Sequence, residues 1–330
     1  MTLALRLGLI DNPRTRPIIE GKVTAKDIDV TVATGDPGEI FGRQLRDDEF
    51  DVSEMSMSTL MMMIARGADR FIGLPIFTTR RFFHTHIMVR RDAKIETPAD
   101  LKGKRVGVRE FQQTAALWIR GALHSEFGVS PADMEFWMER MPEHSHGGAI
   151  GFTSPPDVVI HQIPKETNIG DMMIAGTLDA CLFYFPNRNS INRSIANLED
   201  HPEIKPLFPD SVAEGIRYYR KTGIYPINHG VVIKRNVAER HPWAIARLLE
   251  VFNEANAAAD RARMEHIAYH LETGLLPPEY RKSLSTPLVS YGIEANRKTL
   301  EMAARYSHDQ GLTSRIVGID EIFDPNCLGS

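Results

Sequence analysis

Along the first ninety residues, short apolar runs of strand length alternate with segments of helical periodicity, and this alternation constrains the fold more than any other feature. Residues 3–10 form an apolar run closed by Asp11-Asn12-Pro13, which reads as a buried strand feeding a helix. Residues 28–33 alternate apolar and polar side chains, as a half-buried strand does. Pro37 then opens a helix through Arg46. Residues 50–53 form a third strand, a Ser- and Met-rich helix covers 56–66, and 70–76 is a fourth strand. Strands separated by helices imply βαβ units and a mostly parallel sheet in an α/β protein. Residues 84–90 read as a strand leaving this unit.

A second alternation begins after the turn-rich segment 98–104. Residues 105–108 form a strand and 114–127 a helix with an aromatic and aliphatic stripe. A Gly-, Ser- and Pro-rich loop covers 142–156, a short helix 171–176, and an apolar strand 180–185. One more strand at 230–234 precedes a mainly helical region, 242–310. A chain of 330 residues suits two domains. The late strand implies that the C-terminal part rejoins the first unit. The expected division is 1–90 plus 228–330 for the first lobe and 91–227 for the second. Two crossings, near 86–98 and 222–230, would then make a hinge that closes on a ligand.

Composition narrows the function. With 42% hydrophobic and 25% charged residues the chain is globular. A net charge of −4 gives no general attraction to nucleic acid or an anionic membrane, so an anionic ligand must be held by local arginines. The opening residues show no secretory pattern and no run of 18 apolar residues occurs, so a cytoplasmic protein without membrane spans is expected. Cys181 and Cys327 are far apart and suggest neither a disulfide framework nor a zinc site.

Six segments carry a family resemblance. They are PADLKGKRVGV (98–108), PIFTTRRFFH (75–84), GVREFQQTAALWIRG (107–121), AGTLDACLF (175–183), GIYPINHGVVIKRNVAERHPW (223–243) and YGIEANRKTLEMAARYSHDQGLTSR (291–315). KGKRVGV is common among transporter binding proteins; the PINH segment and the YGIEANR-to-YSHDQGL pair are more specific. Together they resemble the 4,5-dihydroxyphthalate decarboxylase family of the periplasmic-binding-protein type II-like superfamily. The resemblance implies a two-lobed fold, each lobe a mostly parallel sheet flanked by helices, with the site between them. It implies loss of one carboxylate from a dihydroxylated aromatic dicarboxylate, giving protocatechuate from 4,5-dihydroxyphthalate. The ring needs no organic electron sink, because a hydroxyl para to the departing carboxylate lends electron density. The chain departs from the family at Phe83-His84-Thr85, at 184–189 and in the loop 143–148.

Ligands of open parallel sheets collect beyond the carboxyl ends of strands, where helix N-termini point. That rule selects the candidates. Arg14, after the first strand, is a carboxylate clamp or a solvated arginine. Glu54, at the third strand's end, is an acid held protonated by an apolar surround or a carboxylate favoured by a helix start. Arg80, Arg81 and His84 follow the fourth strand, and Arg81 is taken as a substrate contact. His84 and His86 share a strand face, which allows a metal pair, but no carboxylate or cysteine completes a set and no cofactor or metal is expected. Arg109, Gln112 and Thr114 lie at the helix start of the second unit, where backbone N–H groups receive anions; Thr114 could also be only a cap. Trp118 fits core better than a stacking platform. Arg188 is a further carboxylate contact. His229, beside the hinge, is a proton-transfer group or a structural partner, and the resemblance favours function. His144 and His146 read as surface residues. His84 or His229 would be the base, and Glu54 or a histidinium the acid. The alternative is a non-catalytic binding protein for a small aromatic carboxylate. Homo-oligomer formation is left open.

Overall fold

A computed structural model describes residues 2–189, 191–281, 289–324 and 327. The chain forms two sheets. The first has strand order β2-β1-β3-β11-β4, with β1 Leu3–Leu9, β2 Ile28–Thr34, β3 Val52–Ser56, β4 Phe71–Arg80 and β11 Ile227–Lys234. The second has order β10-β5-β9-β6-β7-β8, with β5 Ile87–Arg90, β6 Arg105–Val108, β7 Glu135–Met138, β8 Val159–Gln162, β9 Ala180–Leu182 and β10 Ile204–Pro206. Helix α1 (Arg16–Ile19) follows β1, α2 (Pro37–Asp47) follows β2, α3 (Met57–Ala65) follows β3 and α4 (Thr114–Phe127) follows β6. The long region expected to be helical resolves into α8 (Arg235–Arg240), α9 (Trp243–Glu272) and the helix Arg297–Asp309; its stretch 282–288 lies outside the described residues.

Each sheet contains one reversed strand. β1, β2, β3 and β4 run together and β11 runs against them. In the second sheet β5 alone is reversed. These two are the first strands after each crossing. The chain leaves β4 at its carboxyl end, enters the second sheet from the cleft side and must run away from the cleft; β11 returns by the same logic. A reversed strand therefore presents its amino end to the cleft. This places β5 in the second sheet, so the expected boundary at residue 90 is corrected to the turn before Ile87. The expected strand over 84–90 is likewise shorter, because Phe83–Thr85 is a 3-10 turn that makes the crossing. His84 and His86 consequently share no strand face.

The short strands β7, β8 and β10 are absent from the sequence reading, as is helix α7 (Ser211–Thr222). At three or four residues these strands are too short for alternation alone to mark them. In contrast, α4 has the expected bounds, and it is buried from Thr114 to Leu123 because it packs on both lobes. Trp118 Nε1 donates to Ile227 O at 2.7 Å, and Gly121 lets Tyr306 approach so closely that a Cβ there would meet its ring at 2.1 Å. Arg120 is fully buried, donates to Gln310 Oε1 and Phe111 O, and lies 3.7 Å from the Phe111 ring centroid. Burial pushes its guanidinium down to about 9. One apolar core consequently runs through both sheets, with roughly 1.5–3 kcal/mol for each large side chain it buries. No helix among the described residues is long and apolar enough to cross a membrane.

Candidate active site

A cavity of about 320 Å³ lies where the strand ends of both sheets meet. From the first lobe it takes Ile10 after β1, Asp36 and Gly38 at the start of α2, Phe41, Ser56 at the end of β3, and Asn228 and His229 at the cleft end of β11. From the second lobe come Arg109 after β6, Gln113 and Thr114 at the start of α4, Arg140 after β7, His146, and Phe183, Phe185 and Asn187 after β9. Arg81 enters from the crossing and lies 5.7 Å from the ring centroids of both Phe183 and Phe185. The lobes already touch around the cavity. Ser56 Oγ and Thr114 Oγ1 are 2.8 Å apart, Ser58 Oγ donates to Gln112 O at 2.5 Å, and Asn187 Nδ2 donates to Asp36.

His229 is set by its two neighbours. The Asn228 amide donates to Nε2 at 2.9 Å, which leaves the ring proton on Nδ1. Nδ1 faces Glu54 Oε2 at 3.5 Å, an ion-pair distance beyond good hydrogen-bond length, and Nδ1 has no closer partner. The Phe41 ring meets the imidazole edge to face at 5.0 Å. Glu54 is fully buried inside β3, not beyond it, and accepts from Ile10 N at 2.9 Å and from Thr78 Oγ1. Both contacts donate to it. The expectation that Glu54 delivers a proton directly to substrate is corrected by its position: it stands behind His229 and does not line the cavity.

The second lobe carries a matching pair. Glu110 is fully buried and accepts from Arg140 Nη1 at 2.5 Å, Ser145 Oγ at 2.7 Å and Gly147 N at 3.2 Å. Burial alone would raise its carboxyl; the Arg140 guanidinium and the Ser145 hydroxyl oppose that, and the carboxyl lies below the usual range. His146 lies 3.4 Å from the same carboxylate, and its Nδ1 is 2.8 Å from Thr59 Oγ1. Burial drives the imidazole down to about 4, so it is neutral near pH 7. The surface reading of His146 is overturned, whereas His144 is exposed. Arg109 differs from Arg140. Its Nη2 donates to Phe185 O at 2.6 Å, while Nε is buried without a partner. Burial lowers its guanidinium, and neighbouring Arg140 lowers it further.

Of the expected site residues, Arg81, Arg109, Thr114 and His229 line the cavity and Glu54 touches it through His229. Four others do not line it. Arg14 turns back to donate from Nε to Thr78 O at 2.7 Å. Gln112 is buried beneath the wall, bonded to Glu110 and Ser145, and its neighbour Gln113 faces the cavity instead. Arg188 is exposed outside it. His84 points into the crossing, where Nε2 donates to Glu214 Oε1 at 3.0 Å and the ring packs on Tyr218; burial lowers its imidazole in spite of that carboxylate. His86 faces a separate cavity of about 310 Å³. Among the described residues no cluster of three or more His, Cys, Asp or Glu could hold a metal. Asp36, Asn228, Arg140 and His146 were missed. Asp36-Pro37 was a readable helix start, but Arg140 follows a strand too short to see.

A family model described as the periplasmic phosphonate substrate-binding protein of ABC transporters matches residues 21–270. A 4,5-dihydroxyphthalate decarboxylase from Comamonas testosteroni is 30% identical over 334 residues, covering 100% of this chain and 98% of that protein. One from Pseudomonas putida is 32% identical over 218 residues, covering 66% and 82%. Among solved structures, the periplasmic aliphatic sulphonate binding protein SsuA from Escherichia coli superposes with a TM-score of 0.55 at 15% identity, covering 98% of this chain and 92% of that one. The desulfurization enzyme DSZB gives 0.55 at 14% identity, covering 99% and 98%. The two structural matches speak for the fold, and the full-length sequence match goes further: the chain belongs to the 4,5-dihydroxyphthalate decarboxylase family, within the periplasmic-binding-protein type II-like superfamily.

Proposed function

We propose that the cleft decarboxylates a dihydroxylated aromatic dicarboxylate, 4,5-dihydroxyphthalate, to protocatechuate and CO2. The observation that carries this reading is Arg109, a cation with a buried, unpartnered Nε beside an aromatic wall. A desolvated guanidinium of this kind calls for an anionic ligand. In this reading Arg109 holds the carboxylate that stays, with the amide end of α4 beside it. Arg140 is tied to Glu110 and contributes less free charge.

His229 accepts a proton from the ring hydroxyl para to the departing carboxylate. The hydroxyl takes the place of the Asn228 amide at Nε2, and Glu54 stabilises the imidazolium from the Nδ1 side, as a buried carboxylate does behind a catalytic histidine. Electron density from the resulting phenolate forms a C–H bond at the carboxylate-bearing carbon with a proton whose source is solvent, and the electron pair of the breaking C–C bond then returns to the ring and restores its aromaticity. CO2 leaves, and His229 returns its proton to the phenolate. The net change consumes one proton. The ring's own hydroxyl supplies the electron density, so the scheme calls for no organic cofactor or metal. We place the reaction in the cytoplasm.

The second reading is a binding protein for the same class of anion, favoured by the phosphonate-binding family model. Incubation of the purified protein with 4,5-dihydroxyphthalate, with CO2 and protocatechuate followed over time, separates the two. Release of both products supports the enzyme. Saturable binding without turnover supports the receptor.

A further inference from the structure

The cavity is polarised from one lobe to the other. The second-lobe wall carries Arg109, Arg140 and the start of α4, and Arg81 lies over its phenylalanines. The first-lobe wall carries Asp36, Asn228 and His229. Asp36 is the one carboxylate among the described lining residues. Its place is fixed from two sides. It stands at the N-cap of α2, and it accepts from the amides of Asn187, at 3.3 and 3.4 Å, and of Asn189. A carboxylate has about four acceptor positions; the Asn187 amide, shared between both oxygens, the Asn189 amide and the capped Glu39 N–H are three donors, so Asp36 keeps acceptor capacity.

A carboxylate in the wall of an anion pocket needs a reason, because it repels the ligand's own carboxylates. Phenolic hydroxyls supply one: they donate to a carboxylate and carry no charge. We propose that Asp36 is a specificity-determining residue that reads adjacent ring hydroxyls, so that the substrate lies across the cleft with its hydroxyl edge on the first lobe and its retained carboxylate on the second. This inference rests on the decarboxylase reading and adds an orientation and a selection to it. A reversed ligand would set carboxylate against Asp36 and hydroxyl against arginine. An aromatic dicarboxylate without hydroxyls would face Asp36 with nothing to donate.

Benzoate and protocatechuate share one carboxylate and differ by two hydroxyls, and neither is the substrate. Their dissociation constants are measured calorimetrically for the wild type, Asp36→Asn and Asn189→Ala. The wild type is expected to prefer protocatechuate by about tenfold or more. Asp36→Asn keeps a capping side chain and should bring the preference within about threefold, chiefly by weakening protocatechuate, with benzoate unchanged or tighter. Asn189→Ala leaves the carboxylate in place and should keep the preference. Should Asp36→Asn fail to fold by circular dichroism, Asp36→Ser, which also caps a helix, serves in its place. An unchanged preference in the Asp36 variant, or an equal loss for both ligands, overturns the inference. A wild type that converts 4,5-dihydroxyphthalate while the Asp36 variant keeps its preference counts against this inference alone. A wild type that binds neither ligand and shows no turnover overturns the decarboxylase reading and this inference with it.

Discussion

Both lobes place a fully buried glutamate behind a histidine that touches Phe41, yet the two pairs are built for different work. In the first lobe, Glu54 faces His229 Nδ1 at 3.5 Å and the other ring nitrogen is held only by a neighbouring amide. In the second lobe, Glu110 is engaged by Arg140, Ser145 and Gly147, while His146 is set much as His229 is, with Thr59 Oγ1 2.8 Å from Nδ1 and the carboxylate 3.4 Å away. One pair leaves a nitrogen that can exchange its partner for a substrate proton. The other spends its hydrogen bonds on holding a wall rigid. The same residue types thus become a proton-transfer pair or a scaffold according to how many donors surround the carboxylate.

The division can be broken from either side. Replacing His229 by Ala is expected to lower kcat on 4,5-dihydroxyphthalate by roughly 10²–10⁴-fold, with protocatechuate binding kept within about threefold; a variant with unchanged kcat would remove the first lobe's role. The second pair should show itself in stability. His146 is held neutral down to about 4, against an unfolded value of 6.5. Between those values the unfolded chain binds a proton that the native one refuses. Its contribution is therefore full above pH 6.5 and is lost as pH falls to about 4, up to about 3 kcal/mol. Denaturant titrations from pH 7 to pH 4 should give a steeper fall for the wild type than for His146→Gln.

Arg109→Met tests the anion wall. It should raise the substrate KM by about 10–100-fold, with a smaller change in kcat, whereas the opposite split would move Arg109 into the chemistry. The smallest effects are expected outside the cavity. His84→Leu and Arg188→Ala should each leave kcat/KM within about threefold, measured on the same substrate. A large loss in either would mean that the side chain of His84 or Arg188 itself reaches the ligand.

Much of the architecture was legible because it depends on local patterns. β1, β2, α2 and α4 fall within a residue or so of their expected limits, since alternation, a Pro-opened helix and a long apolar stripe are properties of neighbouring residues. β7, β8 and β10 were not legible, and with β7 unseen its cavity-facing neighbour Arg140 was hidden too. The strand-end rule found Arg109 and Thr114, which follow a forward strand. It pointed His84 the wrong way, because the 3-10 turn at the crossing rotates that side chain onto α7.

By itself the sequence determined the strand-helix alternation, the family and the position of His229 in PINH, all of which are written in residues close along the chain. Only the tertiary structure decided which polar groups meet. Glu54 and His229 are 175 positions apart, and Glu110, beside Arg109 in the chain, pairs with Arg140 instead. Reversal of one strand after each crossing carries the amino end of β11 into the cleft, and that geometry has no signature in the residues of β11 themselves.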